Sequence, residues 1–150
     1  MSATSSDRPQ LNHELLTSNF SFPENVQIPK ILTLPEKVLQ FGEGNFLRGF
    51  ADWMIHSLNQ QGEFQGKVVV AQPIERGLAH VLNEQEGLYT LILRGIQDGQ
   101  VVEQTQIIES VSRALSPYEN WQDFLACAEN PELRVIISNT TEAGIAYLKE

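Results

Sequence analysis

The chain has little cysteine, little positive charge and no long apolar run, and each shortage excludes a class of protein. A single cysteine, Cys127, in 150 residues rules out an internal disulfide framework and fits a reducing compartment. Ten Lys and Arg against 19 Asp and Glu leave a formal charge of -9, a field that repels polyanions. Neither nucleic acid nor an anionic membrane surface is an expected partner. No apolar stretch approaches the ~20 residues of a membrane-spanning helix. The first seven residues also lack the basic-then-apolar order of a secretory signal, so the expected location is the cytoplasm. His13, His56 and His80 are scattered, with no cysteine or carboxylate at ligand spacing, and no metal site is expected.

What is present suits one domain with a hydrophobic core: apolar residues make up 41% of the chain. Residues 1–35 carry Pro9, Pro23, Pro29 and Pro35 without sustained periodicity and read as an extended N-terminal arm. Residues 36–150 read as the domain. Val38-Leu39-Gln40-Phe41 is a buried strand ended by Gly42. Phe46, Leu47, Phe50, Trp53, Met54 and Leu58 recur at three and four, the stripe of one helix over 46–60 that faces the core. Lys67-Val68-Val69-Val70-Ala71 is a second buried strand, and strand, helix, strand with a glycine-rich first turn is a parallel βαβ unit. Leu88–Arg94 and Val101–Ile108 flank Asp98-Gly99 and predict a hairpin placed at the sheet edge. Ser116-Pro117 opens a further helix, with Trp121 on its core face, that ends at Asn130-Pro131. Residues 134–138 form another strand, and Thr141–Leu148 a last helix.

The chemistry concentrates at the turns after these strands. In Gly42-Glu43-Gly44-Asn45-Phe46-Leu47 the first glycine permits a tight turn, the second clears a phosphate's path to the backbone, and the helix start supplies N–H donors. The third glycine of the G-x-G-x-x-G pattern is replaced by Leu47, and Glu43 is expected to point into solvent. After the second strand, where an acid accepts from ribose hydroxyls, stand Gln72, Glu75 and Arg76. Glu75 suits NAD, Arg76 suits the extra phosphate of NADP, and the residues alone leave both open. Ser138-Asn139-Thr140-Thr141-Glu142 follows the later strand, where its groups either meet the ligand or cap a helix. Arg48, Asp52 and His56, four apart, read as a solvated charge ladder.

Phe41-Gly42-Glu43-Gly44-Asn45-Phe46-Leu47-Arg48, Glu86-Gly87-Leu88-Tyr89-Thr90 and Thr141-Glu142-Ala143-Gly144 together resemble, in order, the markers of the mannitol dehydrogenase family of polyol and sugar-acid dehydrogenases. The resemblance covers about Lys37 to Leu148. Mannitol-type members carry histidine where this chain has Phe50, which fits the sugar-acid branch. It implies an α/β, Rossmann-like dinucleotide-binding domain with a parallel sheet and an inserted hairpin, incomplete at the C-terminus. It further implies NAD as cofactor, with NADP not excluded, held by Phe41, Gly42, Gly44, Asn45, Phe46, Gln72, Glu75, Asn139, Thr140 and Thr141. The family's general-base lysine lies beyond Glu150, so no catalytic residue is expected in this chain, and a sugar acid would be met through a further domain. An apolar face uncovered by that domain favours self-association. The alternatives are a non-catalytic NAD-binding module, an α/β interaction module, and a fragment of another polyol dehydrogenase of the family, such as a mannitol or mannonate oxidoreductase.

Overall fold

A computed structural model describes residues 9–140 and 142–145. The elements in chain order are α1 (His13–Thr17), β1 (Val26–Gln27), β2 (Glu36–Phe41), α2 (Asn45–Gly49), α3 (Ala51–Gln61), β3 (Lys67–Ala71), α4 (Ala79–Glu84), β4 (Tyr89–Gln97), β5 (Gln100–Ile108), β6 (Val111–Leu115), α5 (Trp121–Glu129), β7 (Val135–Ser138) and a 3-10 turn at Glu142–Ile145.

The centre is a four-stranded parallel sheet in the order β6-β3-β2-β7. From β2 the chain steps outward to β3 and β6, then returns across the sheet to β7. This is the 3-2-1-4 order of a doubly wound fold, with its switch point between β2 and β7. Side chains alternate between the two faces. Val38, Val68 and Val70 pack with Ile55 of α3 and with Ala79 and Leu82 of α4, whereas Leu39, Val69, Ala71 and Leu115 pack with Cys127 and Phe124 of α5. Burial on both faces is why β3 reads as an unbroken apolar run, and each valine so buried contributes about 1.5–3 kcal/mol.

The hairpin forms as expected, but not at the edge of the parallel sheet. Asp98 (φ 52°) and Gly99 (φ 77°) make a two-residue turn with both central residues left-handed, and β4 and β5 join β1 in a separate sheet of order β1-β5-β4. The edge is taken by β6, which the sequence reading missed, as it missed α4. Asn83 of α4 then caps that edge: its Nδ2 donates to the Ala114 carbonyl (2.9 Å) and its Oδ1 accepts from the Ala114 N–H (2.8 Å). Gly87 (φ 78°), just before β4, lies against β6 so closely that a Cβ there would stand 2.2 Å from the Val111 carbonyl oxygen. Gly87→Ala is therefore expected to destabilise the fold by roughly 3 kcal/mol, backbone strain and overpacking combined. A denaturant midpoint within experimental error of wild type would contradict that.

Further expectations about the helices change or lie partly outside the described residues. The single helix over 46–60 breaks at Phe50 (φ -122°, ψ -73°) into α2 and α3. Of its apolar stripe, Leu47 is buried and Trp53 packs against the core, but Phe46, Phe50, Met54 and Leu58 are exposed, while Asp52, Ile55, His56 and Asn59 are buried. The supposed charge ladder is thus mostly an interior face. Helix α5 starts at Trp121, where Asn120 accepts from the Asp123 N–H, and not at Ser116-Pro117; Trp121 is 54% exposed, not core. Of the last expected helix, only the turn at Glu142–Ile145 is described, and Thr141 lies outside the described residues.

Residues of the N-terminal arm are tied down at several points. Gln10 donates to the Glu84 carbonyl, His13 pairs with Glu86, β1 runs parallel to β5, and the Leu32 N–H donates to buried Glu109. Glu109 also pairs with Lys67 at 3.0 Å. Among the described residues, no helix is long and apolar enough to cross a membrane.

Candidate functional site

Parallel strands bring all their carboxyl ends to one edge, and open α/β sheets bind ligands there, at the switch point. At this edge Phe41 stands level with Ala71 on one side and Ser138 on the other, so the turn after β2 lies beside Gln72 and Asn139. The structure thereby brings together the predicted residues of three separate segments.

The glycine turn begins by extending the ladder, the Gly42 N–H donating to the Ala71 carbonyl at 2.9 Å. Gly42 then takes φ 110°, a conformation that strains any other residue. Gly44 (φ -67°, ψ 158°) is the N-cap of α2, and a Cβ on it would find nothing within 4 Å. As the N-cap position, Gly44 adjoins the first turn of α2, whose leading N–H groups have no intrahelical partner. Asn45 and Phe46 are exposed at the same place, Phe46 stacked on Phe50 with ring centroids 5.4 Å apart. Arg48 donates to Asn45 Oδ1 (2.7 Å) and lies 5.5 Å from the Tyr89 ring centroid, and the Tyr89 hydroxyl donates to the Arg48 carbonyl.

Glu43 does not point into solvent. It is buried, and its Oε1 accepts from the Leu78 N–H, closing the first turn onto the loop after β3. That loop is shaped from inside by Gln72, whose Nε2 donates to the Ile74 and Glu75 carbonyls and whose Oε1 accepts from the Ala79 N–H. Gln72 thus spends its polar atoms on the loop rather than facing a ribose. Glu75, Arg76, Asn139 and Thr140 are exposed along the rim.

Two hollows flank the loop. One, about 510 Å³, is an apolar slot between Phe41, Pro73, Pro117, Tyr118, Trp121 and Phe124, which sequence reasoning missed because its walls come from four segments. The other, about 760 Å³, is more polar and includes Glu75, His80, Ser116 and Asp123. Beneath the turn lies a buried polar cluster that sequence reasoning also missed. Gln40 donates to Asp52 (3.3 Å), and burial pushes the Asp52 carboxyl up to about 7 against the lowering effects of Gln40 and Arg48. Burial drives neighbouring His56 down to about 4, so it stays neutral and accepts from the Glu109 N–H. A polar residue in mid-strand, Gln40 between Leu39 and Phe41, was the available signal. No group of three or more His, Cys, Asp or Glu that could hold a metal occurs among the described residues.

Comparison with known proteins agrees with this geometry. Residues 36–150 match the family described as the mannitol dehydrogenase Rossmann domain. An altronate oxidoreductase of Halalkalibacterium halodurans is 52% identical over 142 residues, covering 94% of this chain and 27% of that protein. The altronate oxidoreductase of Bacillus subtilis is 53% identical over 111 residues, covering 74% and 23%. The chain thus spans about a quarter of the length of the curated relatives it matches. In fold it is similar to a mannitol 2-dehydrogenase of Pseudomonas fluorescens, solved as a ternary complex with NAD and D-mannitol: TM-score 0.78, 23% identity, 91% of this chain and 27% of that one. A D-sorbitol dehydrogenase gives a TM-score of 0.75 at 18% identity, covering 90% of this chain and 28% of that one. With the sheet order, the glycine turn and the family match in agreement, the chain belongs to the mannitol dehydrogenase family, whose Rossmann domain it matches from the start of β2 onward.

Proposed function

We propose that this chain is the cofactor-holding part of an NAD-dependent sugar-acid reductase that converts D-tagaturonate and NADH, with one proton, to D-altronate and NAD. The observation that carries this reading is the open space over Gly44 at the switch point of the sheet. The names and identities of the altronate oxidoreductases supply the substrate class.

In this reading the N–H groups around Gly42, Gly44, Asn45 and Phe46 would hold the pyrophosphate, and backbone donors would offset its charge despite the acidic chain. Glu75 accepts from the adenosine ribose, which favours NAD over NADP, and Gln72 acts by holding that loop in place. The apolar slot lined by Pro73, Tyr118 and Trp121 would hold the adenine. Asn139, Thr140 and Thr141 attend the nicotinamide end. When bound, the dinucleotide would supply the hydride for the substrate carbonyl, and the proton would come from the lysine that the family resemblance places beyond Glu150. The exposed Phe46, Phe50, Met54 and Leu58 pack, in this reading, against the rest of a longer protein, and without it favour self-association. The cytoplasm is the location this reading proposes.

The test is NADH oxidation with tagaturonate, comparing residues 1–150 with the chain extended through whatever coding sequence follows Glu150. Turnover by the extended form alone is the expected result. Turnover by residues 1–150 would overturn the assignment of the proton donor, and silence from both with NADH binding intact would move the substrate to another keto-sugar or sugar acid.

A further inference from the structure

Gln40 and Asp52 form a buried polar pair directly beneath the glycine turn. Gln40 is fully buried in mid-strand, and its Nε2 donates both to the Gly42 carbonyl (3.1 Å) and to Asp52 Oδ2 (3.3 Å). Asp52, in the first turn of α3, is likewise fully buried, and Gln40 Oε1 and Asp52 Oδ1 have no hydrogen-bond partner among the described residues. Such a pair is costly to bury, and apolar side chains would pack the same volume more cheaply. What it does supply is direction.

A trans peptide points its C=O and its N–H opposite ways. With the Gly42 carbonyl drawn inward to Gln40, the Glu43 N–H of the same peptide is turned the opposite way. The backbone alone does not enforce this, because glycine lets an adjoining peptide turn over at little cost. Nor does Gln40 alone, since its amide reversed would set oxygen against the Gly42 carbonyl. The acceptor at Asp52 decides which end of the amide faces that way.

We propose that Asp52 is a positioning residue of the dinucleotide turn, orienting the Gln40 amide so that the Gly42 peptide is held with the Glu43 N–H presented to the pyrophosphate. This rests on the cofactor reading above.

The experiment is a fluorescence titration with NADH, paired with adenosine as a probe that lacks the pyrophosphate, on the chain extended through its following coding sequence. Asp52→Leu and Gln40→Met are each expected to weaken NADH about tenfold, the scale of one well-placed hydrogen bond, and to leave adenosine unchanged. Asp52→Asn, which keeps an acceptor, should restore most of the loss. The double variant should be no weaker than either single, because both break one relay. Equal losses for NADH and adenosine, losses that multiply in the double variant, or no loss at all would each overturn the proposal. Should Asp52→Leu not fold, Gln40→Met against Asp52→Asn decides by the same two probes. Failure of the wild type to bind NADH would instead overturn the cofactor reading itself.

Discussion

Gly44→Val should leave the fold standing and weaken NADH binding a hundredfold or more, roughly 3 kcal/mol. The two glycines of the turn differ in why they are glycine. Gly42 is required by the backbone, with φ 110° and Leu47 Cδ1 at 3.4 Å from a would-be Cβ. Gly44 is required by nothing in the protein: φ -67° and ψ 158° suit any residue, it makes no side-chain cap bond, and its Cβ position is open. A valine there costs the helix start no more than about 1 kcal/mol. Its branches would instead fill the space where a phosphate must approach the backbone. An unchanged melting curve together with lost NADH affinity is the expected pair of results. Intact binding would mean that the phosphates pass elsewhere, and an unfolded variant would mean that the glycine serves the fold.

The parts of the fold that could be read from the sequence are those whose pattern is local. β3 is a continuous apolar run from Val68 to Ala71, β2 is a short one interrupted only at Gln40, and the hairpin turns at Asp98-Gly99, so neighbouring residues determine them. β6 escaped notice because Arg113 sits in mid-strand. Its charge is partly exposed and meets Glu36, 77 residues away, in two hydrogen bonds of 2.8 and 3.0 Å. The helix after the glycine turn shows the same limit in a sharper form. Its period was legible but its buried face was not, since Asp52, His56 and Asn59 are buried on hydrogen bonds to Gln40, the Glu109 N–H and the Gly66 backbone. Polarity argues for exposure only until a partner is known. Likewise the glycine turn was legible as a motif, while Glu43 and Gln72, which hold it and its neighbour loop, bond to groups that only the fold brings near.

Asp52→Asn should stabilise the protein above neutral pH, by up to about 4 kcal/mol at pH 8, and gain nothing at pH 4. Burial raises the folded-state value of Asp52 from 3.8 to about 7, a shift worth on the order of 4 kcal/mol. Between those limits the folded protein binds the proton and the unfolded chain does not, so the Asp52 contribution falls as pH rises and is fully lost above 7. Asparagine, neutral throughout, loses nothing. His56 works in the opposite sense: its folded value is about 4 against an ordinary 6.5, so the unfolded chain binds more protons in that range and stability rises with pH. Glu109 follows Asp52, being raised by burial despite Lys67, whereas Glu36, lowered by Arg113, contributes stability that is lost in acid. The wild-type profile therefore sums opposing contributions across pH 4 to 7, and only the difference between wild type and variant isolates the carboxyl. Denaturant melts of both proteins at half-unit steps of pH would measure it. A constant difference across the range would mean that Asp52 is not protonated in the fold, and that Arg48 or Gln40 holds its charge more firmly than burial opposes it.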